Sequence, residues 1–219
     1  MAEIRKRDAE RSKRLLMKAA ELEFAEKGFD AARVDDIARH AGVNKGLIYL
    51  YFGKKEDLYL EVLKDNLRQL LQASRSLIRK SDDPYEQTII LLRNFFDFLV
   101  ENPAFVRLLA WESLQGGQWS RGNLVNLLSE GLSELIRSLE RGIELGVFRR
   151  DLNARQLVLS VVGLCMTYFQ RRLLMAALWT EDLRRPEVRD RVLRHILQPM
   201  FEGILAKPSQ APDFTGEIR

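Results

Sequence analysis

Cysteine is all but missing: Cys165 is the one thiol in 219 residues. A single thiol closes no internal disulfide, and the expected setting is a reducing compartment. Cys165 stands in the apolar run 161–166 and reads as a small buried hydrophobe ahead of a reactive thiol. Histidine is nearly as scarce, and neither His40 nor His195 has an evident Cys, Ser or carboxylate partner. No metal-spaced cluster and no Gly-rich phosphate loop occurs, so no metal, no cofactor and no enzyme chemistry are expected. Long hydrophobic runs are absent too. The longest, 157–169, is cut by Gln170-Arg171-Arg172 and falls short of the ~20 residues that span a bilayer. The N-terminus is charged and opens on no apolar signal segment. These absences lead to the expectation of a soluble, cytoplasmic chain with no membrane partner.

What is present is a globular composition, 46% hydrophobic and 30% charged, with six Pro and 13 Gly spread along the chain. The length suits one large domain or two smaller ones. The formal net charge is +4, and its placement is uneven. Residues 1–18 carry seven basic side chains (Arg5, Lys6, Arg7, Arg11, Lys13, Arg14, Lys18) against three acidic ones, and the rest of the chain holds 28 of each sign. The N-terminal excess reads either as a phosphate-contacting segment or as a solvated tail.

Apolar residues recur at a helical period almost throughout, and no segment alternates as a strand does. In 15–24 they fall at Leu15, Leu16, Ala19, Ala20, Leu22 and Phe24, with Gly28 as a left-handed stop. A short helix over 34–41 ends at Gly42. Asn44 is placed to cap a third over 45–51, which ends at Gly53. A fourth begins near Lys54 and continues to about 79. Ser81-Asp82-Asp83-Pro84 and Asn102-Pro103 each break one helix and start another. Further helices are expected over about 121–145, from Asp151 or Asn153 to about 179, and from Pro186 to about 205. Pro199 is expected to kink or shorten the last. The expectation is an all-α chain of about nine helices: a three-helix unit over 1–53, a helical bundle over 54–206 and a loose tail over 207–219.

The segment 34–51 has the form of a helix-turn-helix, with Gly42 at the sharp reversal. Val43 and Ile48 are placed to plug the angle between the two helices, and Phe52 to anchor the second to the core. The opposite face carries Lys45, Gly46, Leu47, Tyr49 and Leu50. A cation at a helix N-terminus, a Gly allowing close backbone approach, a Leu for a thymine methyl, and the hydroxyls of Tyr49 and Tyr51 for phosphates suit a major-groove reader. Lys55 adds a cation at the groove rim. The other reading of the same pattern is a small helical cap in which both tyrosines pack.

The stretch 15–63 resembles the N-terminal DNA-binding domain of the TetR family of bacterial repressors. The family pattern A-A-x-x-L-F-x-x-x-G-[FY], then I-A-x-x-A-G-V-[ST]-x-G-x-[IL]-Y-x-[HY]-F-x-x-K-x-x-L, is met by Ala19-Ala20, Phe24, Gly28-Phe29, Ile37-Ala38, Ala41-Gly42-Val43, Gly46, Ile48-Tyr49, Tyr51-Phe52, Lys55 and Leu58. Three positions depart from it. Arg33 stands where a capping Ser or Thr is usual, Asn44 replaces the Ser or Thr of the turn, and Tyr51 replaces the commoner His. Asp35 and Asp36 suit a helix N-terminus. Near DNA they either repel phosphate or accept from a cytosine amine. The resemblance implies double-stranded operator DNA as partner and Arg33, Asn44, Lys45, Gly46, Leu47, Tyr49, Tyr51 and Lys55 as its contacts. It also implies association with the nucleoid, a homodimer and a small-molecule effector.

The bundle carries no diagnostic motif. Phe95, Phe98, Trp111, Glu112, Met166 and Phe169 are candidates for an effector pocket, with ordinary core as the other reading. Glu112 either faces an effector or pairs with an Arg such as Arg107 or Arg171. Family dimers join through the last two long helices, which here makes Leu174, Leu178, Val188, Val192, Ile196 and Met200 interface candidates or, equally, intramolecular core. Besides an effector-released repressor, the alternatives are a constitutive or activating DNA binder and, least favoured, an enzyme housed in the bundle.

Overall fold

The computed structural model describes residues 2–78, 81–119, 122, 124–175, 178 and 182–205. Among them are nine helices: α1 (Ala2–Ala31), α2 (Val34–Ala41), α3 (Gly46–Phe52), α4 (Lys55–Ile78), α5 (Pro84–Glu101), α6 (Pro103–Leu114), α7 (Val125–Glu144), α8 (Ala154–Met175) and α9 (Pro186–Ile204). The one β feature among these residues is an isolated bridge between Phe148 and Leu205. The all-α expectation holds. The tail over 207–219 lies outside the described residues.

Local chemistry accounts for the helix ends. α1 starts at Ala2, well before the expected apolar stretch, because Arg, Lys, Glu and Ala over 2–14 are strong helix formers. Gly28, at φ 73 and ψ 174, interrupts it with a kink that the helix passes on its way to Ala31. α2 ends at Gly42 in the left-handed region, φ 67. There the Val43 N–H reaches back to the Ala38 carbonyl at 3.1 Å, a closure that satisfies an otherwise orphaned carbonyl. At the head of α4, Asp57 Oδ2 accepts from the Lys54 backbone N–H at 3.0 Å. Asn153 Oδ1 does the same for Gln156 N–H at the start of α8. α9 runs through Pro199 to Ile204, close to the expected end near 205, so Pro199 does not cut it short. Pro199 and His195, whose carbonyl loses its donor, are both exposed, so the missing bond falls on the solvent side of the helix.

The helices fall into two compact units. The first comprises residues 1–69 and 102–128, the second 70–101 and 129–219. This grouping differs from the expected boundary at 53/54, since α6 joins the N-terminal helices and α4 contributes to both units. In the first unit Leu16, Ala20 and Phe24 of α1, Ile37 of α2, Ile48 of α3 and Leu58 and Tyr59 of α4 are fully buried. Phe24 and Phe29 meet the Tyr59 ring edge-on at 5.0 and 5.3 Å between centroids. α6 closes this core. Its Trp111 ring lies where a Cβ on Gly28 would approach to 3.1 Å, and the indole N–H donates to the Ala25 carbonyl at 3.4 Å. Tyr59 donates to the buried Glu112 at 3.0 Å. Burial and that carboxylate push the Tyr59 phenol far above its ordinary value.

The second unit has its own core. The Phe96 ring of α5 packs against Phe169 of α8 at 5.1 Å, and Tyr85 meets Phe201 of α9 at 5.4 Å. Gly142 of α7 lies hard against the fully buried Phe148 ring, leaving no room for a Cβ. Thr88 and Ser138 both donate to the Pro84 carbonyl, at 2.7 and 2.9 Å. α5 and α9 are tied by Arg93–Asp190 at 2.6 Å and Arg189–Asp97 at 3.4 Å.

Candidate nucleic-acid interface

α3 is seven residues long, and one of them, Ile48, is fully buried. That single anchor lets the rest of the helix face outward. Tyr49 is 55% exposed and Leu50 72%, a ring and an aliphatic side chain held in water on one short helix. Such exposure has no packing explanation within the chain. Phe52, expected as an anchor, is only half-buried, with Lys13 Nζ 5.7 Å from its ring centroid. Tyr51 is half-buried beside it.

The turn that aims α3 is built from Asn44. Its Oδ1 accepts from the Gly46 N–H at 2.7 Å, and its carbonyl accepts from the Leu47 N–H at 3.0 Å. Asn44 thus keeps its capping role while the helix starts one residue later than expected. Lys45, at the N-cap position, pairs through Nζ with Asp35 Oδ1 at 2.9 Å, and that bond raises its pKa. This pair links the first turns of the two helices of the motif.

The acidic residues at the head of α2 are neutralised within the unit. Asp36 accepts from Arg39 at 2.6 Å and from Lys27 at 3.3 Å, and these cations hold its carboxyl below the usual range. Lys27 also reaches the buried Glu23 at 2.6 Å, whose second oxygen lies 3.6 Å from His40 Nδ1. Arg33 is exposed in extended backbone and makes no side-chain cap bond to α2. The first-turn N–H groups of α2 are left to Asp35 and Asp36 as favourable neighbouring charges.

Lys55 is placed otherwise than a free rim cation. Its Nζ sits 4.5 Å from the centroid of Phe29 and donates to the Asp30 carbonyl at 3.3 Å, fastening α4 to the end of α1. Lys54, beside it, is exposed.

The remaining candidates scatter. Phe95 and Phe98 on α5 and Met166 on α8 are half-buried, and Phe169 is buried, all in the second unit. Trp111 and Glu112 are built into the first unit, where Glu112 accepts from Tyr59. Val188 and Val192 are 8% and 7% exposed and so belong to the second unit's own core. Ile196 and Met200 are half-buried, Leu178 is exposed, and the side chain of Leu174 lies outside the described residues. Exposed apolar side chains on α8 that the periodicity did not single out are Leu159 and Leu164.

Comparison with known proteins agrees with this geometry. Residues 16–62 match the family model for bacterial regulatory proteins of the tetR family, and residues 84–199 match the tetracyclin repressor-like C-terminal domain. The chain is 30% identical over 203 residues to the HTH-type transcriptional repressor NicS of Pseudomonas putida, covering 92% of this chain and 96% of that one. It is 35% identical over 100 residues to the HTH-type transcriptional activator FasR of Mycolicibacterium smegmatis, 46% and 45% of the two chains. The fold is shared with the transcriptional regulator FadR of Bacillus subtilis, solved in complex with stearoyl-CoA, at a TM-score of 0.74 and 23% identity over 88% of this chain and 99% of that one. With a matched reading head at one end and a matched regulatory domain over more than half its length, the chain belongs to the TetR family of transcriptional regulators.

Proposed function

We propose that this regulator is a repressor that binds a two-fold-related operator as a homodimer and is released by a small molecule held in the second unit. The observation that carries the reading is α3, which exposes Tyr49 and Leu50 beside Lys45 while Ile48 is fully buried and holds the helix to its unit. In this arrangement the N-terminal turn of α3 enters the major groove. Lys45, Gly46 and Leu47 face base edges, while Arg33, Asn44, Tyr49 and Tyr51 serve the flanking phosphates. Two such heads on a dimer sit about 34 Å apart, one turn of DNA. α8 and α9 supply the dimer surface, with Ile196, Met200 and Leu178 as its apolar contacts. The effector acts by favouring a spacing of heads that DNA does not, and its differential affinity for the two states sets the limit of the response. Phe95, Phe98, Met166 and Phe169 are the side chains proposed to meet it, and a long-chain acyl thioester is the first probe suggested by the FadR neighbour.

Lys55 and Lys54 test the phosphate contacts. Lys55→Ala is expected to flatten the dependence of log K on log salt by about one unit if the lysine swings from Phe29 to DNA. An unchanged slope, with Lys54→Ala flattening it instead, transfers the contact to Lys54. Micromolar protein sedimenting as a monomer contradicts the dimer. The activating alternative is supported by the FasR likeness, and a reporter that gains expression on adding the protein decides for it.

A further inference from the structure

We propose that a stripe of four cations on α1, Arg7, Arg11, Arg14 and Lys18, is a second DNA site, holding backbone phosphates of the duplex that flanks the half-site read by α3. This rests on the reading of α2 and α3 as a DNA reader and extends it to a helix that the motif leaves unassigned.

The spacing of the four, at intervals of four, three and four residues, places them on one helical face. All four are exposed. Among the described residues none of them enters an ion pair or a hydrogen bond, whereas Lys27, Arg39, Lys45 and Arg68 of the same unit are each paired with a carboxylate. Arg33, Lys54, Lys64 and Arg107 enter no ion pair among the described residues either, but they stand singly on separate stretches of the unit, whereas this row sets four open cations along one helical face. The row lies within residues 1–18, the segment that holds the chain's whole excess of positive charge.

Size and position suit a nucleic-acid strand. From residue 7 to residue 18 the helix rises about 16 Å, close to the axial length of five phosphates of one strand at about 3.4 Å each. The same segment of α1 adjoins the reading helix, since Lys13 lies over Phe52 at the C-terminal end of α3. Lys13 lies on another face of α1 from the row, so the duplex gripped by α3 meets the row where it continues past α1 beyond the half-site. Arg14 and Lys18 also border a groove of about 430 Å³ between α1 and α4, whose other wall carries Glu61 and Asp65. Those carboxylates damp the attraction of Arg14 and Lys18 for an anion. Arg7 and Arg11, nearer the N-terminus, carry the larger share.

The test uses the full-length protein and a duplex recovered with it from a random-sequence library, once trimmed to the selected site and once extended by about ten base pairs, one helical turn, on each side. Arg7→Gln/Arg11→Gln keeps strong helix formers at both positions. Its log K against log salt slope on the extended duplex is expected to be shallower by about two units, with the difference shrinking on the trimmed duplex and the preference for selected over scrambled sequence unchanged. Arg7→Lys/Arg11→Lys is expected to restore the slope. A Gln variant whose slope matches wild type on the extended duplex overturns the proposal, as does a Lys variant that loses as much as the Gln variant. Wild-type protein that recovers no preferred sequence overturns the α3 reading itself, before any substitution in α1 is made.

Discussion

Tyr59 shows what a single polar group does inside this core. Its ring is fully buried between Phe24 and Phe29, and its hydroxyl has one destination, the buried Glu112 carboxylate 3.0 Å away. Removing the hydroxyl deprives a buried charge of a donor and creates no compensating contact. Tyr59→Phe is expected to destabilise the first unit by about 2 kcal/mol, measured by urea unfolding followed through tryptophan fluorescence. Cys165 makes the opposite point, as a group whose chemistry the fold suppresses. Burial lifts its thiol from 9.0 to about 11. Because the folded value is the higher one, the thiol's contribution to stability is complete below pH 9 and is lost as pH rises through 11. Alkylation by iodoacetamide at pH 7.5, a working condition on the order of ordinary assay buffers, is expected to proceed only in denaturant. Rapid labelling of native protein contradicts the buried assignment.

At the scale of elements, packing between helices sets the tolerances. Gly142 on α7 has the Phe148 ring where a Cβ belongs, and Phe148 is itself fully buried. Gly142→Ala is expected to cost about 1–3 kcal/mol through overpacking, visible as a lower melting temperature of the second unit. In the first unit the Lys45–Asp35 pair joins α2 to α3 and also occupies the cation proposed to face DNA. Asp35→Asn frees Lys45 and removes a charge that repels phosphate, so binding to random duplex at low salt is expected to tighten several-fold in a fluorescence anisotropy titration. Weaker binding would mean that the pair's role in aiming α3 outweighs the repulsion. Helix existence was legible in the sequence because periodicity, Gly42, Gly53, Asn44 and the X-Pro starts are local signals. Whether Pro199 would shorten α9 was not, because the answer depends on both Pro199 and His195 facing water. The Lys45–Asp35 pair was not either, since its two residues lie ten apart on different helices.

For the molecule as a whole, the division into units depends on contacts that no short window contains. Trp111 reaches Ala25 across 86 residues and Glu112 reaches Tyr59 across 53. These contacts carry α6 into the unit of the reading head, so two residues expected in an effector pocket became part of the core that supports α1 and α4. The reading motif itself was legible because its constraints lie within fifty consecutive residues. The proposed surfaces for effector and partner were not, because Val188 and Val192 look identical in sequence whether they face their own core or a second copy. The central claim is that α3 reads DNA sequence. The direct measurement is the affinity of the wild-type protein for its selected duplex against a scrambled duplex of equal length, by anisotropy at about 0.15 M salt. A selected duplex bound about a thousandfold or more tightly, with that ratio collapsing in Lys45→Ala/Leu47→Ala, is the predicted result. Equal affinity for the two duplexes would contradict it.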